Sequence, residues 1–319
     1  MTTVAVTVAV TGASGFIGGH LLRALIGAGF DVRALARRLP PPGSTSPITW
    51  IQGDLDNAVA LGRLLDRADL VIHGAGAIKA LSRADFFAVN GEGTERLAKL
   101  AAAQATPPRF IHLSSLAARA PHLSGYAASK AAGEAAVLRL RGKLPVAILR
   151  PPAVYGPGDA ESLRIFQMAA RGWLAVPAVD GARLSLAHVD DVVAAVLATA
   201  RLQSFPDQPV EFDDGASHGH SWPEIAQAAS DALGRPVRSF RIPPAILYAA
   251  GAAASLGALV SRRPSVLSWD KVGEVLHPDW VAAGPRLPGY EPRWTLREGF
   301  QNAAEWAASR GLLRLLRRS

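Results

Sequence analysis

Tyr126 and Lys130 stand four residues apart in Tyr126-Ala-Ala-Ser-Lys130, at the start of a helical pattern. That spacing puts both side chains on one helix face. A free phenol titrates near pH ~10, too high for efficient proton exchange at neutrality. An ammonium fixed nearby stabilises the phenolate and lowers that value. The run Phe110-Ile-His-Leu-Ser114-Ser115 lies just upstream and ends in two hydroxyls. Ser115 is expected to hydrogen-bond a substrate oxygen beside Tyr126, with Ser114 supporting the backbone. Catalysis is therefore assigned to Ser115, Tyr126 and Lys130: proton exchange at an oxygen while a hydride moves at its carbon.

The hydride needs a carrier, and Thr11-Gly12-Ala13-Ser14-Gly15-Phe16-Ile17-Gly18-Gly19 supplies a place for one. Gly12 permits a sharp turn out of a strand. Gly15 removes a Cβ where a pyrophosphate must approach, and Gly18 lets the following helix pack closely on the sheet. The amides of that helix start, with Ser14, Phe16 and Ile17 around them, offer N–H groups and partial positive charge to a diphosphate. The second strand ends Ala34-Leu-Ala36-Arg37-Arg38, with no carboxylate for a ribose 2′-hydroxyl. A guanidinium can grip a 2′-phosphate with two hydrogen bonds, so Arg37 and Arg38 favour NADPH and leave NADH as the alternative.

These groups need a parallel sheet to hold them. Near-continuous apolar strands are predicted at Val4–Val10, Asp31–Ala36, Ile48–Gln52, Leu70–Ile72, Arg109–Leu113 and Val146–Leu149. Helical patterns at Phe16–Ala28, Asn57–Asp66, Phe86–Ala103 and Tyr126–Arg141 separate them. The fold class is α/β: a Rossmann-type doubly wound sheet over 1–155, then a smaller, mostly helical substrate lobe over 156–319. Some segments of that lobe return to the sheet. Short strands are expected in it near Arg183–Leu186 and Val210–Phe212.

The chain has 319 residues, a net charge of +8 and no cysteine. Disulfides, thiolate metal sites and thiol catalysis are excluded, and no metal site is expected. The start has no basic leader and no cleavage pattern, so a soluble cytoplasmic enzyme is expected, with membrane association on the cytoplasmic face left open. The arginines are scattered, which argues against nucleic-acid binding. They form either a plain basic surface or one drawn to phosphates or an anionic membrane.

Taken with Gly53-Asp54-Leu55, Val71-Ile-His-Gly-Ala-Gly76, Val89-Asn90, Leu149-Arg-Pro-Pro-Ala-Val-Tyr-Gly-Pro157 and His188-Val-Asp-Asp191, these motifs follow a familiar order. The chain resembles the extended short-chain dehydrogenase/reductases, the group holding NAD-dependent epimerases and dehydratases and 3β-hydroxysteroid-type dehydrogenases. That resemblance implies that Asp54 and Leu55 contact the adenine, and that Gly74, Ala75 and Gly76 line the cofactor. It implies that Asn90 supports the site and that the backbone at Pro151 and Ala153 meets the nicotinamide; Ser114 and Asn90 are counted with the cofactor-binding residues. A strand-end cap is the plainer reading of Asp54. The resemblance also implies a homodimer.

Departures from the family pattern narrow the reaction. Leu116-Ala-Ala-Arg119 follows Ser115 where dehydratases carry acids. Ala153 and Leu184 stand where nucleotide-sugar epimerases place an Asn and an Arg, with Arg183 one step off. The expected activity is NADPH-dependent reduction of a bulky apolar ketone, such as a 3-oxo sphingoid or ceramide-type lipid, as in a bacterial ceramide-pathway ketoreductase branch. A nucleotide-sugar epimerase or reductase and a non-catalytic dinucleotide-binding scaffold are the alternatives. Ile242–Ser261 carries no charge, and reads either as a buried packing helix or as an apolar pocket wall resting on lipid. Gly311–Ser319 reads as a short basic amphipathic helix, either solvated or laid on an anionic bilayer.

Overall fold

A computed structural model describes residues 6–41, 47–284 and 287–314. The chain divides into two compact units. The first comprises Met1–Arg150, Ala195–Val210 and Leu287–Gly289, and the second the remainder.

The first unit is built on parallel strands β1 (Thr7–Thr11), β2 (Asp31–Ala36), β3 (Ile48–Gln52), β4 (Leu70–His73), β5 (Arg109–Leu113) and β6 (Val146–Arg150). Their order is β3-β2-β1-β4-β5-β6, with a short edge strand at Val210–Glu211 beside β6. The order reverses between β1 and β4, which marks the crevice where doubly wound sheets bind ligands. Val4 and Ala5, expected in the first strand, lie outside the described residues. β1, β4 and β5 are almost wholly buried, which explains their unbroken apolar runs.

Helices α1 (Phe16–Gly27), α2 (Ala58–Leu65), α3 (Arg83–Phe86), α4 (Thr94–Ala102) and α5 (Gly125–Leu138) cross between strands. Asn57 caps α2 by accepting from the Ala60 amide, and Ser124 caps α5 through the Ala127 amide. Between α3 and α4 the helix widens into a π-type turn over Phe87–Gly93, a feature that often marks functional sites. Leu61, Leu64, Leu97, Phe110 and Ile148 are fully buried in one cluster under these helices. Each contributes roughly 1.5–3 kcal/mol by burial. The Arg109 guanidinium donates to the carbonyls of Ala200 (2.7 Å) and Leu202 (2.5 Å), holding the returning segment.

The second unit is richer in strand than expected. It holds β7 (Ala153–Tyr155), α6 (Ala160–Ala169), β8 (Trp173–Pro177), β9 (Arg183–Leu184) and β10 (Leu186–His188). The helix α7 (Val189–Arg201) then carries the chain back to the first unit. Further on come β11 (His220–Ser221), α8 (Trp222–Leu233), β12 (Arg238–Ile242), α9 (Pro244–Ser261) and α10 (Leu296–Ser309), with shorter pieces between. Ser221/Glu224 and Thr295/Glu298 form capping boxes for α8 and α10. Tyr155, Phe166 and Phe300 stack edge to face at the centre, with ring centroids 5.0 and 5.1 Å apart.

Candidate active site

The glycine loop joins β1 to α1. Gly12 has φ +74°, and a methyl group there would lie 2.5 Å from the Gly74 carbonyl, so two strand ends close on each other at this glycine. Gly15 is extended and exposed, and its amide donates to Gly12 O at 2.9 Å. No side chain caps α1, and its first turn carries no acid. Uncapped amides at a helix start, under a glycine that leaves them uncovered, fit a diphosphate. Gly18 lies on the buried face of α1 with Leu21, Leu22 and Leu25. A Cβ there would strike Gly12 O and Ala13, so it lets α1 lie against its own loop.

A buried relay ties this loop to the ends of β4 and α4. Thr94 Oγ1 donates to Asn90 O (2.7 Å), so it accepts from His73 Nε2–H (2.9 Å). Thr11 Oγ1 accepts from the Ala75 amide (3.2 Å), which leaves its proton for His73 Nδ1 (2.6 Å). Every link is satisfied by one neutral tautomer of His73. Burial, then the Lys130 charge, pushes His73 down to about 3. His112 stacks on it at 5.2 Å and is lowered in the same direction, first by burial. Neither His112 ring nitrogen has a hydrogen-bond partner among the described residues.

Asn90 sits in the widened turn, buried, and fixes the β4 loop to α5. Its Oδ1 accepts from the Ala77 amide (2.7 Å), and its Nδ2 donates to Ala77 O (3.0 Å) and Ser129 Oγ (2.9 Å). Ser129 in turn donates to Tyr126 O at 2.7 Å. A Cβ at Gly133 would run into Asn90 O, so α5 meets the widened turn closely there. Gly74 and Gly76, exposed at this strand end, and half-buried Ala75 are thereby held from two sides.

Lys130 is buried on α5 and donates through Nζ to Leu113 O at 2.8 Å. That bond pins the end of β5, and with it Ser115, to the helix carrying Tyr126. Burial lowers Lys130 to about 8, against the opposing pull of the Glu134 carboxylate. Tyr126 is half-buried, with its ring edge-on to Phe86 at 5.9 Å. Ser115 Oγ accepts from the Ala117 amide (3.2 Å), so its own proton remains available to donate.

Ser114 does not support the backbone as expected. Its buried hydroxyl donates to Glu134 Oε1 at 2.5 Å. Glu134 also receives Arg150 Nε on Oε1 (2.9 Å) and Nη2 on Oε2 (2.6 Å), a bidentate ion pair. Sequence reasoning passed over Glu134, although it continues the helical spacing Tyr126, Lys130, Glu134. It also missed Ser129, His73, Thr94 and Thr11 as supports.

Arg37 and Arg38 are exposed at the end of β2. Asp54 takes the capping role, accepting from the amides of Asp56 (3.0 Å) and Asn57 (3.1 Å). Leu55 is buried against Gly93. Ser14 is exposed, and Phe16 and Ile17 are half-buried around the loop. Pro151 and Ala153 belong to the second unit, the former buried and the latter exposed. In that unit His188 Nε2 donates to Asn302 Oδ1 at 3.2 Å. Asp191 accepts from the amides of Arg293 (2.9 Å) and Trp294 (3.1 Å). The His188–Asp191 motif is thus framework.

A doubly wound parallel sheet with a glycine loop after its first strand, Ser115 just past β5 and Tyr126 and Lys130 on α5, is the arrangement of an NAD(P)-dependent oxidoreductase of the short-chain dehydrogenase/reductase type. The chain belongs to the NAD dependent epimerase/dehydratase family, whose sequence pattern it matches over residues 8–210. It is 40% identical over 310 residues to a ceramide reductase of Caulobacter vibrioides, covering 96% of each chain. It is 31% identical to a dTDP-6-deoxy-L-talose 4-dehydrogenase (NAD(P)(+)) of Kitasatospora kifunensis, over 62% of this chain and 71% of the other. Among solved structures, MoeE5 in complex with UDP-glucuronic acid and NAD shares the fold with a TM-score of 0.70 and 24% identity, over 96% and 99% of the two chains.

Proposed function

We propose that this reductase uses NADPH to reduce a bulky apolar ketone, specifically the 3-oxo group of a sphingoid or ceramide-type lipid. One observation carries the substrate class: similarity along nearly the whole of both chains to a protein named ceramide reductase. The anchor positions agree with it. Leu184 packs into the apolar cluster of the second unit. Arg183 donates to the carbonyls of His218 (2.5 Å) and Gly219 (3.1 Å), so it is occupied with a turn. A diphosphate losing such charge-assisted bonds loses a few kcal/mol of binding.

Gly12, Gly15, Gly18 and the α1 amides would hold the cofactor, with Arg37 and Arg38 at the 2′-phosphate. When bound, the reduced nicotinamide supplies a hydride to the carbonyl carbon. Ser115 Oγ–H orients the carbonyl oxygen. Tyr126 passes its phenolic proton to that oxygen, leaving a phenolate that the Lys130 ammonium stabilises until solvent returns a proton. Near pH 7 a lysine titrating at about 8 is roughly nine-tenths protonated, so the ammonium is present when needed.

NADPH consumption measured with a long-chain 3-oxo amide, and in parallel with UDP- and dTDP-sugars, tests the reading. Turnover of the amide is expected. Turnover of a sugar nucleotide with none of the amide would overturn it.

A further inference from the structure

α9 is unlike the other helices. It runs for 18 residues without a charged side chain, yet only Leu247 and Gly251 are buried. The buried packing helix that the composition allowed is therefore not what is seen. Ile246, Ala249, Ala253, Leu256 and Val260 recur at helical spacing along an exposed face, with Val260 88% and Leu256 65% exposed. A continuous exposed apolar face of this kind marks an interaction site.

Three further observations say what covers it. The first is charge. From Arg235 to Trp269 there are five arginines and no carboxylate, and Arg238, Arg262 and Arg263 are exposed. The second is aromatic placement. Trp269 is exposed and its ring meets that of Tyr248 at 4.8 Å, tilted by 50°. Exposed Trp173 and Phe240 pair edge to face on the strands leading into α9. Amphipathic rings beside an apolar face with cations at its end are the features of a bilayer interface. The third is the return of the chain. The Trp269 amide donates to Ser255 Oγ at 3.0 Å, and Val272 packs on Gly251, so the segment after α9 folds back beside its middle. That segment carries Asp270 and the Lys271–Glu274 ion pair (2.5 Å). A spanning helix would drag those charges into hydrocarbon at a cost of several kcal/mol each. At about 27 Å long, α9 fits lying along the interface.

We infer that α9 is a peripheral membrane-docking element that lays the Ile246–Val260 face on an anionic bilayer, with Arg262 and Arg263 among the phosphates. A second copy of the chain is the competing occupant, and it gains nothing from a patch of like charge. Of the expected tail helix, the described residues 311–314 are not helical. α10 ends at Ser309, Gly311 turns with φ +68°, and Leu313 is buried. Residues 315–319 of the proposed tail helix lie outside the described residues.

Flotation of the full chain with vesicles of mixed phosphatidylglycerol and phosphatidylcholine, against pure phosphatidylcholine, tests this. The protein should float with the mixed vesicles. Leu256→Glu/Val260→Glu should weaken that binding at least ~10-fold, because a carboxylate on the face resists the apolar layer. Arg262→Ala/Arg263→Ala should weaken it roughly 25-fold, about five-fold per arginine. NADPH binding should be unchanged in both variants, confirming that they fold. Failure of the parent chain to float would overturn the inference, as would undiminished flotation of Leu256→Glu/Val260→Glu. Conversion from dimer to monomer by that variant in lipid-free sedimentation would assign the face to a second copy instead.

Discussion

Replacing Glu134 with glutamine should both destabilise the fold and shift the pH dependence of catalysis. Glu134 is the buried partner of the mostly buried Arg150, with two short bonds to it and a third from Ser114. Glutamine keeps the shape and one acceptor oxygen. It turns an N–H group toward Arg150 Nη2 and removes the Glu134 charge from the guanidinium. Breaking a buried pair from one side costs ~3–5 kcal/mol. The retained oxygen argues for the lower end, about 3 kcal/mol. At ~2–4 °C per kcal/mol for a unit of this size, the melting temperature should fall by ~6–12 °C. The charge on Glu134 also raises the Lys130 titration, now at about 8. Its loss should move Lys130 lower and pull the alkaline limb of kcat/KM toward neutrality. Thermal unfolding and a kcat/KM profile across pH 6–9 read the two effects. An unchanged melting temperature would refute the ion-pair account. A melting loss with an unmoved alkaline limb would refute the link to Lys130.

Acid should unfold the first unit early. His73 titrates at about 3 in the fold against 6.5 when unfolded, and His112 is lowered in the same direction. The unfolded chain therefore binds protons that the native state refuses, so stability falls as pH drops from 6.5 toward 3. His73 alone accounts for as much as roughly 5 kcal/mol of that loss. Urea midpoints at pH 7, 6, 5 and 4 check the slope, and a flat profile would contradict the neutral relay. Arg37→Asp should weaken NADPH by ~10-fold or more while sparing NADH, since a carboxylate repels a 2′-phosphate. Fluorescence titration with both nucleotides reads the ratio, and an unaltered preference would remove the arginine from that role.

The dinucleotide half was legible because burial on both faces writes a strand as an apolar run. Asp31–Ala36, Ile48–Gln52 and Arg109–Leu113 fall at the predicted residues. The second unit resisted because its strands are too short to show a period. The short strand expected at Arg183–Leu184 is found there, but its partner His220–Ser221 is a two-residue pairing made by tertiary contact. Trp173–Pro177 pairs with Arg238–Ile242, a strand exposed along almost its whole length, so nothing alternates. At the site, Gly12, Tyr126 and Lys130 announce themselves by spacing, because helix and turn geometry fix which neighbours can meet. The Thr11–His73–Thr94 relay and the Ser114–Glu134–Arg150 cluster join residues far apart in the chain, and no local pattern records such pairings. Whether α9 was covered could not be read from composition, since an apolar helix in a core and one at a surface have the same letters.

The central claim is that the Tyr126 phenol delivers the proton as the carbonyl is reduced. Tyr126→Phe removes one oxygen atom and leaves the Lys130–Leu113 bond and the glycine loop intact. With NADPH and a long-chain 3-oxo amide, its turnover should fall by ~10²-fold or more, in line with general acid catalysis, while NADPH affinity stays within about two-fold of the parent. Turnover equal to the parent would contradict the account.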